Sequence, residues 1–227
     1  MLTPSAKKIF SPSLPLERQD EGRELLKKFQ ATKTKIAIQK DGALTDIARS
    51  LLFDTYSVVV PPTPKGRIPF AVSGDGETGF IYARNKNICS LVTEGAADMA
   101  IIGTDRLIEE EAEQSVAIVA SYRDRYVWSL VLATPYLRNV RSPEQIMRVA
   151  TQYPVATRRY FKNMGLDTIE IVATHGGTEM YPYLEYGNNR IDAIVDLTVT
   201  GESLAAHDMV SWTPAIGEVY PVLIQKR

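Results

Sequence analysis

The chain has 227 residues, with 26 Lys plus Arg against 27 Asp plus Glu, for a formal net charge of −1. Its 44% hydrophobic and 23% charged residues are the balance of an ordinary globular protein, long enough for one large domain or two lobes. Near-neutral charge leaves no footprint for general nucleic-acid binding, while allowing a local basic pocket for a phosphorylated small molecule. Cys89 is the only cysteine, so no internal disulfide forms and a reducing compartment is expected. Together with two histidines it supplies no soft-ligand metal cluster. Pro4, Pro12 and Pro15 interrupt any secretory apolar stretch, and no apolar run approaches the ~18 residues of a membrane span. A cytoplasmic protein with neither a membrane nor a nucleic-acid partner is the expectation.

Ser and Pro dominate residues 3–15, and a helix follows over roughly 17–30, with Leu25, Leu26 and Phe29 on one side. It reads either as a surface helix docked on the body or as a partner-binding helix. Beyond it, strand and helix signals alternate. Strands are expected at 35–39, 56–60, 80–83, 98–103, 116–120, 126–134, 149–151, 169–173, 191–197 and 219–225. Helices are expected at 44–53, 87–94 with Gly95 as its stop, from 107, from Ser142-Pro143, over 154–164 closing at Gly165, and from 177. Gly74-Asp75-Gly76-Glu77 reads as a hairpin turn. This alternation predicts an α/β protein with largely parallel sheets. Ligands in such folds bind beyond the carboxyl ends of strands, which directs attention to the loops after Gln39, Ala83, Gly103, Ala173 and Leu197.

The clearest strand, 191–197, runs into Thr198-Val-Thr-Gly-Glu-Ser203 and then a helix. Glycine lets backbone N–H groups approach an anion, the hydroxyls donate further bonds, and the new helix presents its positive end. The strand carries Asp192 and Asp196, and an acid beside a phosphate loop suits ribose hydroxyls. The plainer reading is a Ser/Thr-capped strand-to-helix turn with no ligand. A Glu202 side chain aimed into a phosphate cradle would repel its ligand.

Asp192-Ala-Ile-Val-Asp-Leu-Thr-Val-Thr-Gly-Glu-Ser-Leu204 resembles the phosphoribosyl-diphosphate (PRPP) signature of the ATP phosphoribosyltransferases, which open histidine biosynthesis. Four further blocks follow the family's order. They are Ile36-Ala-Ile-Gln-Lys-Asp-Gly-Ala-Leu44, the stretch Val92 to Leu107 with acidic residues at 109–111, Ala150 to Phe161, and Gly176-Gly-Thr-Glu-Met-Tyr-Pro182. The resemblance covers residues 35–227. It implies a two-lobed α/β fold like type II periplasmic binding proteins: an N-terminal extension with a helix over 1–34, one lobe from 35–125 plus 210–227, and a second from 126–209 carrying the PRPP loop. It also implies transfer of phosphoribose from PRPP to N1 of ATP with Mg2+ and release of pyrophosphate, as a homo-oligomer. A chain ending at Arg227 resembles the short form, whose partner is a regulatory subunit similar to histidyl-tRNA synthetase. Carried over by position, Thr198, Thr200, Gly201, Glu202 (through its N–H) and Ser203 would cradle the 5′-phosphate. Glu179 and Asp192 would hold the ribose hydroxyls, Lys40 and Arg84 would meet pyrophosphate, and Asp105 with Thr104 would border the nucleotide.

The sequence departs from the family at Ala43, where an arginine is usual, at Val199 and Glu202 in the loop, and at His175. Lys40 and Arg84 also read as solvated loop charges, Glu179 as an acid complementing a helix start, and Asp105 as a helix cap. Three functions are compatible with these residues: a working transferase, a paralogue that uses another acceptor or no longer catalyses, and a two-lobed module that clamps a small ligand.

Overall fold

The structure, a computed structural model, describes residues 16–64, 68–184 and 190–227. The Ser/Pro-rich segment 3–15, the basic turn Lys65-Gly66-Arg67 and the end of the helix expected from 177 lie outside these residues. The elements in chain order are α1 (Leu16–Gln30), β1 (Thr34–Gln39), α2 (Ala43–Tyr56), β2 (Phe70–Val72), β3 (Thr78–Ala83), α3 (Asn85–Thr93), β4 (Met99–Gly103), α4 (Thr104–Glu109) and β5 (Val116–Ser121). They continue as β6 (Trp128–Pro135), β7 (Arg148–Thr151), α5 (Pro154–Asn163), β8 (Glu170–Ala173), β9 (Ala193–Thr198), α6 (Glu202–Ala206), β10 (Met209–Ser211), β11 (Gly217–Val219) and β12 (Pro221–Lys226).

Among the described residues the strands form two six-stranded sheets, one in the order β2-β3-β1-β4-β12-β5 and the other β10-β6-β9-β7-β8 with β11 also on β6. Each sheet is one lobe. In the first, α2 covers one face through Ala48, Leu51 and Leu52 against Ile38, Phe80 and Ile101. On the other face, α3 buries Ile88 and Val92 against Ile102, Val222 and Ile224. The second lobe buries Leu130, Val149 and Val195 with Phe161 of α5, and Val131 and Ile194 with Leu204 of α6. This is the two-lobed α/β architecture expected from the sequence. The first of the two readings of the 17–30 helix fits α1: Phe29 is buried and its ring lies 4.6 Å from that of Phe70.

Several local expectations are corrected. The sheets are mixed: β1 runs parallel to β3 and β4, and β7 parallel to β8 and β9, whereas β12 and β6 are antiparallel to their neighbours. Residues 56–60 form no strand. The apolar stripe of α2 carries the helix through Tyr56 until Ser57 turns left-handed at φ 55°, and the prolines beyond cannot donate to a sheet. Ser142-Pro143 starts only a 3-10 turn, Pro143–Gln145, because Ile146 leaves it in extended conformation to be buried. The helix expected from 177 is a 3-10 turn, Thr178–Tyr183, with Pro182 inside it. The chain's return to the first lobe comes later than position 210. β10 and β11 both pair with β6, so the crossing falls at Tyr220. There Tyr220 and Thr104 exchange two hydrogen bonds, tying the crossing to the start of α4. No helix among the described residues is long and apolar enough to cross a membrane.

Candidate active site

Parallel pairing puts the carboxyl ends of β1, β3 and β4 on one edge of the first sheet, and those of β7, β8 and β9 on one edge of the second. These edges face each other across a cleft. A cavity of about 690 Å3 in it is lined by Arg84 and Lys86 after β3, Asp105 and Arg106 after β4, Tyr153 after β7 and His175 after β8. A second of about 280 Å3 adjoins it, lined by Gln39 and Ala43 after β1, by Trp128 and Val219, and by Leu197 at the end of β9. Residues from four of the five loops singled out in the sequence, together with Leu197 before the fifth, thus line this cleft.

In the second lobe, Gly176 and Gly177 have φ of 131° and 57°, left-handed values that suit glycine. They turn the chain out of β8 so that Thr178 and Glu179 lie beside the end of β9. Ser203 Oγ, in the first turn of α6, donates to Glu179 Oε1. That bond is the main reason the Glu179 carboxyl is held below its ordinary pKa. Glu179 therefore stands at the Thr198–Ser203 loop, as expected. Within the loop, Gly201 is left-handed at φ 79°. Its N–H donates to Thr198 Oγ1 at 2.8 Å, and the Glu202 N–H donates to Thr200 Oγ1 at 3.3 Å. Glu202 is exposed in the first turn of α6, where a carboxylate complements the helix dipole.

Asp192 is the residue the structure removes from the site. It precedes β9, and the loop follows that strand, so six residues of extended chain, roughly 20 Å, separate them. Its Oδ2 accepts the N–H groups of Met147 at 3.0 Å and Arg148 at 3.1 Å, and the guanidinium groups of Arg138 and Arg190 lie 4.0 and 3.9 Å from Oδ1. Asp192 fastens the start of β9 to the start of β7. The acid at the loop is Asp196, two residues before Thr198 and on the same face as Asp192. Burial, with the Glu179 charge adding to it, raises the Asp196 carboxyl to about 6. The signal for it was available in the sequence, since of the two acids only Asp196 is near the strand's carboxyl end.

In the first lobe, Asp105 is only 7% exposed, and burial raises its carboxyl above the ordinary range. A Cβ on Gly103 would overlap Asp105 Oδ1, so glycine is required for the carboxylate to fold back over the end of β4. Arg84 caps the start of α3 and, with Lys86, faces the larger cavity; neither has a carboxylate partner among the described residues. Lys40 is exposed at the start of the loop after β1, and it is Ala43 in that loop that lines the smaller cavity. At Gly42, φ is 109° and a Cβ would lie 2.7 Å from Gln39 Nε2, so the loop's turn depends on glycine. Sequence reasoning missed Asn85 and Tyr153, which line both cavities. It also missed Glu109 of α4, whose carboxylate reaches across the cleft to accept the N–H groups of Val155 at 3.1 Å and Ala156 at 2.8 Å, at the start of α5. Arg159 of α5 adds ion pairs back to Glu111 and Glu113. Among the described residues no group of three or more His, Cys, Asp or Glu is placed to hold a metal ion.

The fold agrees with comparisons to known proteins. The family model HisG, ATP phosphoribosyltransferase, matches residues 84–227. A Methanosarcina acetivorans protein named ATP phosphoribosyltransferase is 33% identical over 172 residues, 75% of this chain and 56% of that protein. One from Methanocaldococcus jannaschii is 34% identical over 145 residues, 63% of this chain and 48% of that protein. The chain spans about half the length of the curated relatives it matches. Among solved structures, the ATP phosphoribosyl transferase (HisG:HisZ) complex from Thermotoga maritima superposes with a TM-score of 0.67 at 24% identity, covering 85% of this chain and 87% of that one. Tv2483 bound to L-arginine follows with a TM-score of 0.56 at 15% identity, covering 89% and 81%. At these identities the structural likeness speaks to the fold, while the sequence matches identify the lineage: the chain belongs to the ATP phosphoribosyltransferase family.

Proposed function

We propose that the chain transfers phosphoribose from PRPP to N1 of ATP, the first step of histidine biosynthesis. What supports this reading is that Glu179 bonds Ser203 of the Thr198–Ser203 loop and adds its charge to Asp196 in the second lobe, while Arg84 and Lys86 of the first lobe line the larger cavity. The 5′-phosphate would sit in the loop once the Thr198 and Thr200 hydroxyls turn from the N–H groups they now accept, freeing both for the anion. The two carboxylates would take the ribose hydroxyls. As the bond from C1 to pyrophosphate breaks, positive charge grows on the ribose and negative charge on the leaving group. Carboxylates on one side and guanidinium and ammonium groups on the other stabilise that separation where it develops. N1 of adenine then bonds to C1, and the amino group at C6 releases a proton.

The residues fit Mg2+ delivered with substrate phosphates. That ion needs only one or two carboxylates beside phosphate oxygens and water, and Asp105 and Glu109 are the acids that line the larger cavity. When bound it supplies charge neutralisation to the leaving pyrophosphate. Such an enzyme would work in the cytoplasm, where ATP and PRPP are made. A homo-oligomer and a regulatory subunit resembling a histidyl-tRNA synthetase belong to the same proposal; the partnered complex whose fold the chain shares supports the latter.

The test is to mix the protein with PRPP, ATP and Mg2+, with and without a candidate regulatory subunit, and to follow phosphoribosyl-ATP. Product in either mixture is expected. PRPP binding in calorimetry without product would replace this reading with that of a paralogue using another acceptor. No PRPP binding at all would replace it with a clamp for some other ligand.

A further inference from the structure

We infer that Asn85 reads the exocyclic amino group of the acceptor base, and so selects a 6-aminopurine over a purine lacking that group. The inference rests on the transferase reading above and assigns the base recognition within it.

The argument begins with the two cavities. The larger is rich in cations, through Arg84, Lys86 and Arg106, and suits a polyphosphate chain. The smaller reaches Leu197, the residue before the phosphate loop, on the side where the proposed function places the ribose. A bond between groups held in two compartments forms where the compartments meet. Only three of the side chains named as lining them face both: Asn85, Asp105 and Tyr153. These three therefore surround the reacting atoms. In adenine, N1 adjoins C6, the carbon carrying the amino group, so N1 cannot be held at this junction without bringing the amino group there as well.

Of the three residues, one holds a buried acceptor atom with no hydrogen-bond partner. The Asp105 carboxylate already takes N–H groups of its own turn. The Tyr153 hydroxyl stays protonated, because burial and then the Asp105 and Asp196 charges resist its ionisation. Asn85 Oδ1, by contrast, is buried and has no hydrogen-bond partner. A buried carbonyl oxygen left unpaired is costly, and an N–H arriving with a ligand relieves that cost. An amino group supplies this donor. A bare C–H leaves the oxygen orphaned, and a 6-oxo group sets two acceptors against each other. The position is fixed by the fold, since Asn85 is the first residue of α3, directly after β3 delivers the chain to the cleft.

The test is calorimetric binding of ATP and of purine riboside 5′-triphosphate, which differs only in lacking the amino group, to the wild type, Asn85→Ala and Asn85→Asp. Wild type should prefer ATP about tenfold, the value of one such hydrogen bond. Asn85→Ala should bind both nucleotides alike, at the wild-type affinity for the analogue. Asn85→Asp keeps an acceptor and should keep the preference. Equal weakening of both nucleotides by Asn85→Ala, or a wild type that does not discriminate, would overturn the role of Asn85 and leave the transferase reading standing. A wild type that binds neither nucleotide would overturn both.

Discussion

Replacing Asp196 with Asn separates what this residue does for the reaction from what it costs the fold. The Asp196 carboxyl is raised from 3.8 to about 6, first by burial and then by the Glu179 charge. Protonation is thus favoured more in the folded than in the unfolded chain, so the stability this group contributes is full below pH 3.8 and is lost as pH rises through about 6. At 1.36 kcal/mol per pH unit, ionised Asp196 costs the folded state about 3 kcal/mol at pH 7 and about half that at pH 5. Asparagine has the shape of the protonated acid and carries no charge. The variant should therefore be more stable than wild type by up to about 3 kcal/mol in urea unfolding at pH 7.5, with the gain halved at pH 5. On the proposed transferase reading it should also lose activity by about 100-fold, since a charge that would stabilise the forming ribose cation is gone. A Glu179→Gln background should shrink the stability gain, because part of what raises Asp196 is removed. No gain at pH 7.5, or a gain that does not change with pH, would refute the claim that burial holds this carboxyl up.

Three further outcomes follow from the geometry. Asp192→Ala leaves the Met147 and Arg148 N–H groups without their acceptor. It should lower stability in urea by about 2 kcal/mol yet leave KM for PRPP unchanged; a large rise in that KM would return Asp192 to the site. Gly103→Ala forces the Asp105 carboxylate aside and should cut kcat/KM about 100-fold, the scale on which a 1 Å misplacement acts; normal kinetics would show that the carboxylate's position is immaterial. Glu109→Ala removes the carboxylate from the start of α5 and should cost about 1 kcal/mol while widening the particle in small-angle scattering. An unchanged radius of gyration would mean that Glu109 does not hold the lobes together.

What the sequence made legible was local. Pro154 at the start of α5 and the left-handed Gly165 after it, whose N–H bonds Lys162 O at 2.9 Å, bracket that helix as composition suggests. The Thr198–Ser203 loop and the five strand ends are likewise readable from apolar runs and the residues that stop them. Choosing between Asp192 and Asp196 was different. They are four residues apart on one strand face, so alternation treats them alike, and only the site's position at the carboxyl end separates them. The second crossing, at Tyr220, was illegible because β10 and β11 are short pieces whose lobe is decided by long-range pairing with β6. Glu109 was illegible for the same reason: its partners lie 46 and 47 residues away, in the other lobe.

The departures from the family's pattern fit the same division of charge. A chain with a net charge of −1 has no surplus of cations to spread over its surface, so the proposed use of two polyphosphates would require it to concentrate them. Here Arg84 and Lys86 stand unpaired among the described residues, and Arg106, paired with Glu110 at 3.1 Å, keeps a buried Nε with no acceptor. These groups belong to the first lobe, where Asp105 and Glu109 share their cavity, while Glu179, Asp196 and Glu202 belong to the second. In the proposed transfer the bond that breaks would lie between the lobes, with its positive end toward the acids of the second and its negative end toward the cations of the first. Replacing an arginine by Ala43 weakens the cationic side without disturbing that order, and exposed Glu202 adds to the acidic side from outside the cradle. In the proposed transfer both substitutions would therefore bear on the affinity for pyrophosphate more than on the direction of the field across the reacting bond.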